Sequence, residues 1–347
     1  MEYILEKSIE FFCITPELQK ICKYYCDTCQ AINQVCAIIV CVLIYFTNEH
    51  VDIEKYLNHL NIQISIGEGL ANYLNHDGQE DIHIIKTLAI ANSCVFLGVY
   101  NKELCVIKEI LVEHGDFQIS SQFIYEFMSL LEIKRNCVIS KSLAKHLIFI
   151  VTPDSLRIVS EFIPLAFETI FTKSLPLNYV CEKFRELVEL VDILHDKHIA
   201  HRDIKSENIR IRADGRLVLI DFDSACCRHP AASKFITRPV CTLKVRPPEL
   251  LIADAEDAEK SYDAFALDVY SLGCVLYHMV TGRNFFDATN IADMLNEVYD
   301  QKIRDKKFLK LYQRSEEIGI YVKKMLSFNP AERPTVKQLL TWLKNKI

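Results

Sequence analysis

His201-Arg202-Asp203-Ile204-Lys205-Ser206-Glu207-Asn208, followed shortly by Asp221-Phe222-Asp223, is the stretch on which the reading of this chain turns. Asp203 is a carboxylate that can take up a proton from a hydroxyl, and Lys205 is an ammonium that can meet developing negative charge. Asn208 adds a neutral oxygen and Asp221 a carboxylate, the hard ligands that Mg²⁺ prefers. Phosphoryl transfer asks little covalent work of a protein. It must hold phosphates, neutralise charge and orient a hydroxyl for in-line attack. A surface loop with scattered charges would hold some of these groups. Eight residues in this order, with Asp-Phe at this distance, are far more specific.

The 347 residues are enough for two or three structural units around a large core. Hydrophobic residues make up 50% and charged ones 25%, which reads as globular. A net charge of -6 argues against non-specific binding to nucleic acid or anionic membrane. The most apolar run, Val35 to Phe46, is shorter than the roughly 18–20 residues of a membrane span. Fourteen cysteines without a secretory pattern at the N-terminus predict reduced thiols in the cytoplasm or nucleus. Cys22, Cys26, Cys29 and Cys36 contain one Cys-x-x-Cys pair, but no second pair with metal-ligand spacing follows. Their steps place all four on one helical face, as small buried residues.

Three regions separate along the chain. Residues 1–79 carry apolar residues at helical spacing in Glu17–Cys29, Gln34–Phe46 and Ile53–Leu60, and 75–81 reads as a polar linker. In 80–163, Val95–Tyr100 and Leu104–Ile110 are expected as hairpin strands, Ser121–Ile133 as an amphipathic helix, and Leu147–Val151 with Leu156–Phe162 as a further strand pair. From 164 to 347 the pattern is mainly helical. The expectation is an α+β protein with a small sheet-rich lobe, a larger helical lobe and an N-terminal helical extension.

With these residues in place, the chain resembles the eukaryotic protein kinase family through most of 84–347. The resemblance implies the bilobal kinase fold, ATP and Mg²⁺ as cofactors, and a protein substrate. Leu104-Cys105-Val106-Ile107-Lys108 resembles the strand presenting the phosphate-gripping lysine, and Glu126, on the expected helix, the carboxylate that pairs with it. Ser160-Glu161-Phe162-Ile163 falls at the family's hinge, where backbone groups near Glu161 and Ile163 would bind adenine. Leu88 and Phe96 fall where nucleotide-contacting positions flank the phosphate loop. Arg246-Pro247-Pro248-Glu249 resembles the motif closing the activation segment, and Asp268 to Gly273 the helix that anchors the catalytic loop. Arg333 matches the buried partner of Glu249.

Lys205 and Thr242 follow the serine/threonine pattern. The string from Thr237 to Arg246 resembles the activation segment of cyclin-dependent kinases, with Thr237 at the activating phosphorylation position and Arg202 as partner for its phosphate. Residues 14–60 faintly resemble the opening helices of a cyclin box, which implies a cyclin-like or other activating partner as one option and a generic helical extension as the other. Two departures stand out. Aligning on Phe96 puts Ala89, Ala91 and Cys94 where the family has phosphate-loop glycines, and Asp223 replaces the glycine after Asp-Phe. Gly67-Glu68-Gly69 lies too far upstream to be that loop and reads as a turn between helices. The reading is therefore an active serine/threonine kinase with Asp203 as base. Its rival is a pseudokinase acting as a binding or regulatory module.

Overall fold

The computed structural model describes residues 62–64, 82–90, 93–111, 143–144, 146–151, 155–172, 175–227, 241–255 and 262–344. The expected helices before residue 61 with their four cysteines, the 67–69 turn, the 75–81 linker and the 121–133 helix lie outside these residues. The chain divides into two compact units, 1–124 with 145–162 and 125–144 with 163–347.

The first unit is built on a six-stranded sheet of β1 (Ile62–Ile64), β2 (His83–Ile90), β3 (Cys94–Tyr100), β4 (Glu103–Leu111), β5 (His146–Val151) and β6 (Ser155–Glu161), in the order β1-β5-β6-β4-β3-β2. The β-branched runs read from the sequence become β3, β4, β5 and β6. Asn101 and Lys102 join β3 to β4 with φ of 49° and 66°, the positive pair that a tight, right-twisted hairpin requires. One departure lies in the region expected to be helical. Ile62-Gln63-Ile64 forms β1, parallel to β5, because its period-two alternation suits a strand. Along β4, Cys105 and Ile107 are buried in a cluster with Tyr100 and Val159, against which Ile82 and Phe96 pack. Gly98 belongs to this face. A Cβ there would lie 2.6 Å from Ile107 Cδ1 and 2.8 Å from the His83 carbonyl oxygen.

The second unit is mainly helical. Its two small sheets are ordered β10-β9-β7 and β11-β8, from β7 (Leu165–Ala166), β8 (Ile199–Ala200), β9 (Ile209–Ile211), β10 (Leu217–Leu219) and β11 (Cys226–Cys227). Its helices are α1 (Leu177–Asp196), α2 (Pro248–Ala255), α3 (Ala264–Thr281), α4 (Ile291–Tyr299), α5 (Gln301–Arg314), α6 (Glu316–Met325) and α7 (Val336–Lys344). In α1 the buried residues Val180, Phe184, Leu187, Val188, Val191 and Leu194 recur at helical spacing and form the face packed into the core.

Helix α3 is apolar all round and buried from Ala266 to Val280, the pattern of a helix enclosed on every side. It is the one helix among the described residues long and apolar enough to cross a membrane, and 89% of it is buried inside the protein. Asp263 caps its start by accepting from the Phe265 and Ala266 N–H groups, and Gly282 ends it at φ 69°. Midway, Gly273 lets the end of α6 come close. A Cβ there would meet Met325 Cβ at 3.0 Å and Leu326 Cδ2 at 3.1 Å.

Candidate active site

The site of the second unit is organised around Asp268 in α3. This carboxylate is fully buried. Its Oδ2 accepts the His201 N–H at 2.9 Å and its Oδ1 accepts the Arg202 N–H at 2.7 Å, while His195 Nε2 lies 2.8 Å from Oδ2. Backbone donors bonded to a buried charge fix a loop firmly, because unmaking them strands the charge. The clamp holds Arg202 at φ 63°, a left-handed conformation costly for a side chain larger than glycine. That turn delivers Asp203 to its position.

His201 is wholly buried, and burial lowers its pKa against the opposing pull of Asp268, Asp203 and Asp221, so the ring is neutral. Its Nε2 donates to the Ile220 carbonyl at 3.2 Å, and its Nδ1 accepts the Asp203 N–H at 3.3 Å. The ring thereby ties Asp203 to the residue preceding Asp221. Phe222 is buried against the same ring, with centroids 4.8 Å apart.

Asp203 receives donors on both carboxylate oxygens. The Thr242 N–H donates to Oδ1 at 3.0 Å, and Lys205 Nζ donates to Oδ2 at 2.7 Å. Burial alone would raise the carboxyl, but the charge of Lys205 and the hydrogen bonds from Lys205 and Thr242 outweigh it and hold the pKa below the ordinary value. Asp203 is thus ionised and ready to accept a hydrogen bond. Lys205 Nζ also donates to Thr242 Oγ1 at 2.7 Å, which joins Asp203, Lys205 and Thr242 in one network.

Asn208 tests the fit of a magnesium ion. Its Nδ2 donates to the Asp203 carbonyl at 2.9 Å and to Asp203 Oδ2 at 3.1 Å, which turns its amide oxygen away from that carboxylate. Its own carbonyl accepts the Ile220 N–H at 2.9 Å, bringing the chain just before Asp221 against it. Asp221 is exposed and held at φ 63°. One amide oxygen and one carboxylate suit Mg²⁺, which completes its shell with water and phosphate oxygens. Among the described residues no cluster of three or more His, Cys, Asp or Glu suggests a metal cage.

Arg202 is the expected partner for a phosphate on Thr237, which lies outside the described residues. Its guanidinium is buried, with Nε donating to the Ser224 carbonyl and Nη1 to the Tyr262 hydroxyl at 2.8 Å. No local motif in the sequence marks the position of this tyrosine. Thr237 and Glu126 lie outside the described residues. The Glu249–Arg333 pair forms as the sequence suggests, with Nη1 and Nη2 each 2.7 Å from a separate carboxylate oxygen. Arg333 also donates to the Ser327 and Ala266 carbonyls.

In the first unit Lys108 lies on β4, paired with Val95 of β3 and Ile158 of β6. Here one assignment is corrected. Phe96 pairs with Ile107, so it faces away from Lys108 and packs against the buried cluster of Tyr100, Cys105, Ile107 and Val159. Val95 and Leu97 share the Lys108 face. Side chains alternate along a strand, so an alignment off by one residue exchanges faces. Leu88 lies on the edge strand β2, 47% exposed. Glu161 ends β6 opposite Cys105, and Ser160 falls on the Lys108 face. Ile163, the first residue of the second unit, packs with Ala144 and Val218. Ala89 and Cys94, expected in a phosphate loop, are strand residues of β2 and β3.

The protein kinase domain model matches residues 91–342, so the chain belongs to the protein kinase family, as a eukaryotic domain of the serine/threonine type with the α+β kinase fold. It is similar to "Serine/threonine-protein kinase kin-29" of Caenorhabditis briggsae, 30% identical over 53% of this chain and 22% of that protein. It is also similar to "Probable serine/threonine-protein kinase glkA" of Dictyostelium discoideum, 31% identical over 42% of this chain and 29% of that protein. "CTD kinase subunit alpha" of Schizosaccharomyces pombe is 35% identical over 33% of this chain and 18% of that protein. The chain thus spans less than a third of the length of each of these relatives.

Proposed function

We propose that this domain is an active serine/threonine protein kinase that transfers the γ-phosphoryl group of ATP to hydroxyls of a protein substrate. The observation that carries this reading is Asp203, held ionised by Lys205 and Thr242 on a loop bolted to Asp268. Asp203 orients the acceptor hydroxyl and takes its proton as the new phosphorus–oxygen bond forms and the bond to the departing ADP breaks. Lys205, bonded to Asp203 and Thr242, would meet the charge developing on the transferred group. Asn208 and Asp221 would hold Mg²⁺, which neutralises phosphate charge when bound. Lys108 would grip the phosphates, and backbone groups near Glu161 and Ile163 would bind adenine. A phosphorylation assay of wild type and Asp203→Ala checks the reading. The variant should lose about 10²–10⁴-fold in rate. Equal signal from both proteins would remove the claim.

The pseudokinase reading draws on Ala89 and Cys94 in the hairpin and on Asp223, and the same assay separates the two. A cyclin-like or other activating partner remains part of the proposal, supported by the likeness of 237–246 to cyclin-dependent kinases. Co-purification of an activity-raising partner from the native source would test it, and full activity of the isolated chain would count against it.

A further inference from the structure

We propose that the outward face of α5 is a docking surface for an acidic segment of a partner protein. Lys302, Lys306 and Lys310 supply its charges and Leu309 its apolar anchor. Helix α5 carries six cations against one carboxylate, Asp305, in a chain whose net charge is -6. Three of the six are used by the fold. Arg304 is buried and donates to the Val298 and Leu326 carbonyls at 3.5 and 3.2 Å. Lys307 Nζ donates to Glu297 Oε2 at 2.5 Å, and Arg314 Nη2 to the Leu175 carbonyl at 2.6 Å. The other three, Lys302, Lys306 and Lys310, are exposed, and no hydrogen bond or ion pair ties their ammoniums to a described residue.

Their placement sets them apart from scattered surface lysines. A helix turns about 100° per residue, so Arg304, Phe308 and Leu311 form one buried face. Lys302, Lys306, Leu309 and Lys310 fall opposite, within about 100° of arc. Like charges four residues apart repel on a helix, so this row destabilises the element that carries it. Leu309 lies among the lysines and is 55% exposed. Asp305 stands at the margin of the row and accepts from Gln301 Nε2 at 2.8 Å, so one carboxylate is set against three ammoniums. The lysines rise about 6 Å apart. That interval matches carboxylates four residues apart on a partner helix, with one apolar side chain among them to cover Leu309. A lipid surface or a nucleic acid fits less well. Both extend far beyond the roughly 8–10 Å over which charge acts in physiological salt, and both would meet the acidic excess of the remaining chain. A short acidic segment meets only the row.

The test uses the full chain and a fluorescent, helix-forming peptide with Glu at every fourth position around one Leu. Anisotropy should show binding that weakens as salt rises. Replacing all three lysines with Gln should weaken it about tenfold, and Leu309→Ser several-fold, with unfolding temperatures near that of wild type. Lys302→Glu, Lys306→Glu and Lys310→Glu together should bind the same peptide with Lys in place of Glu, a reversal that damage to the fold would not produce. Phosphatidylserine vesicles and a DNA duplex are the rival probes. No peptide binding by wild type, equal binding by wild type and the Gln variant, or tighter binding of either rival probe overturns the proposal. Binding is read without ATP, so it stands or falls apart from the kinase reading. Transfer to a plain serine peptide should be the same in wild type and the Gln variant. A lower rate in the variant would assign the lysines to the reaction and also overturn the docking role.

Discussion

At the scale of single residues, charge is placed where it must be matched. Arg333 has its side chain fully buried, while Glu249 keeps 21% of its side-chain exposure. Glu249→Gln would leave the guanidinium half-answered, and we expect a loss of about 2–4 kcal/mol in chemical denaturation, the lower end reflecting water's access to Glu249. His201 sets a pH limit. Burial lowers its pKa in the folded protein below the ordinary 6.5, and His278 is lowered by the same cause. The unfolded chain therefore binds these protons first as pH falls. Stability is full above about pH 6.5 and declines as the pH drops through the folded values. Unfolding midpoints measured between pH 7.5 and 5 should fall in this direction, and replacing His201 with Tyr should flatten the slope. A flat profile in wild type would contradict this account.

At the scale of elements, the β2–β3 hairpin is where family pattern and chain part company. The alignment on Phe96 sets the family's glycines at Ala89 and Cys94, and the one-residue shift moves them to Ile90 and Val95; all four are strand residues with side chains, and a Cβ limits how closely backbone can approach phosphate. Restoring glycine at Ala89, Ala91 and Cys94 together should tighten ATP binding several-fold, read by calorimetry; unchanged affinity would show that the hairpin does not set the grip. The same hairpin shows where sequence reading stops. The run from His201 to Asn208 and Asp221 was legible because each residue type is bound to one chemical task at one spacing. The hairpin strands were legible from their β-branched runs and the short turn between them. Which face Phe96 takes was not, since that depends on pairing register and one residue reverses it. Tyr262 at Arg202 was invisible for a related reason: its neighbours come from distant parts of the chain and meet it only after folding.

At the scale of the whole molecule, α3 joins packing to chemistry in the second unit. The buried helix carries Asp268 near its start and Gly273 against the end of α6. The Cys274 thiol is pushed up to about 12 by burial and stays protonated. The Asp268 clamp has a consequence for heat. In many proteins a catalytic loop loosens well before the body melts, so function fails first. Here the loop's backbone is fastened to the most enclosed helix of the unit, so the loop has no separate melting step available to it. Thermal loss of phosphorylation and calorimetric unfolding of the second unit should trace one curve. Inactivation several degrees ahead of that curve would mean that the clamp yields alone. A domain of this kind would keep its working rate almost to its melting point and then lose it abruptly, failing like a fuse rather than a dimmer.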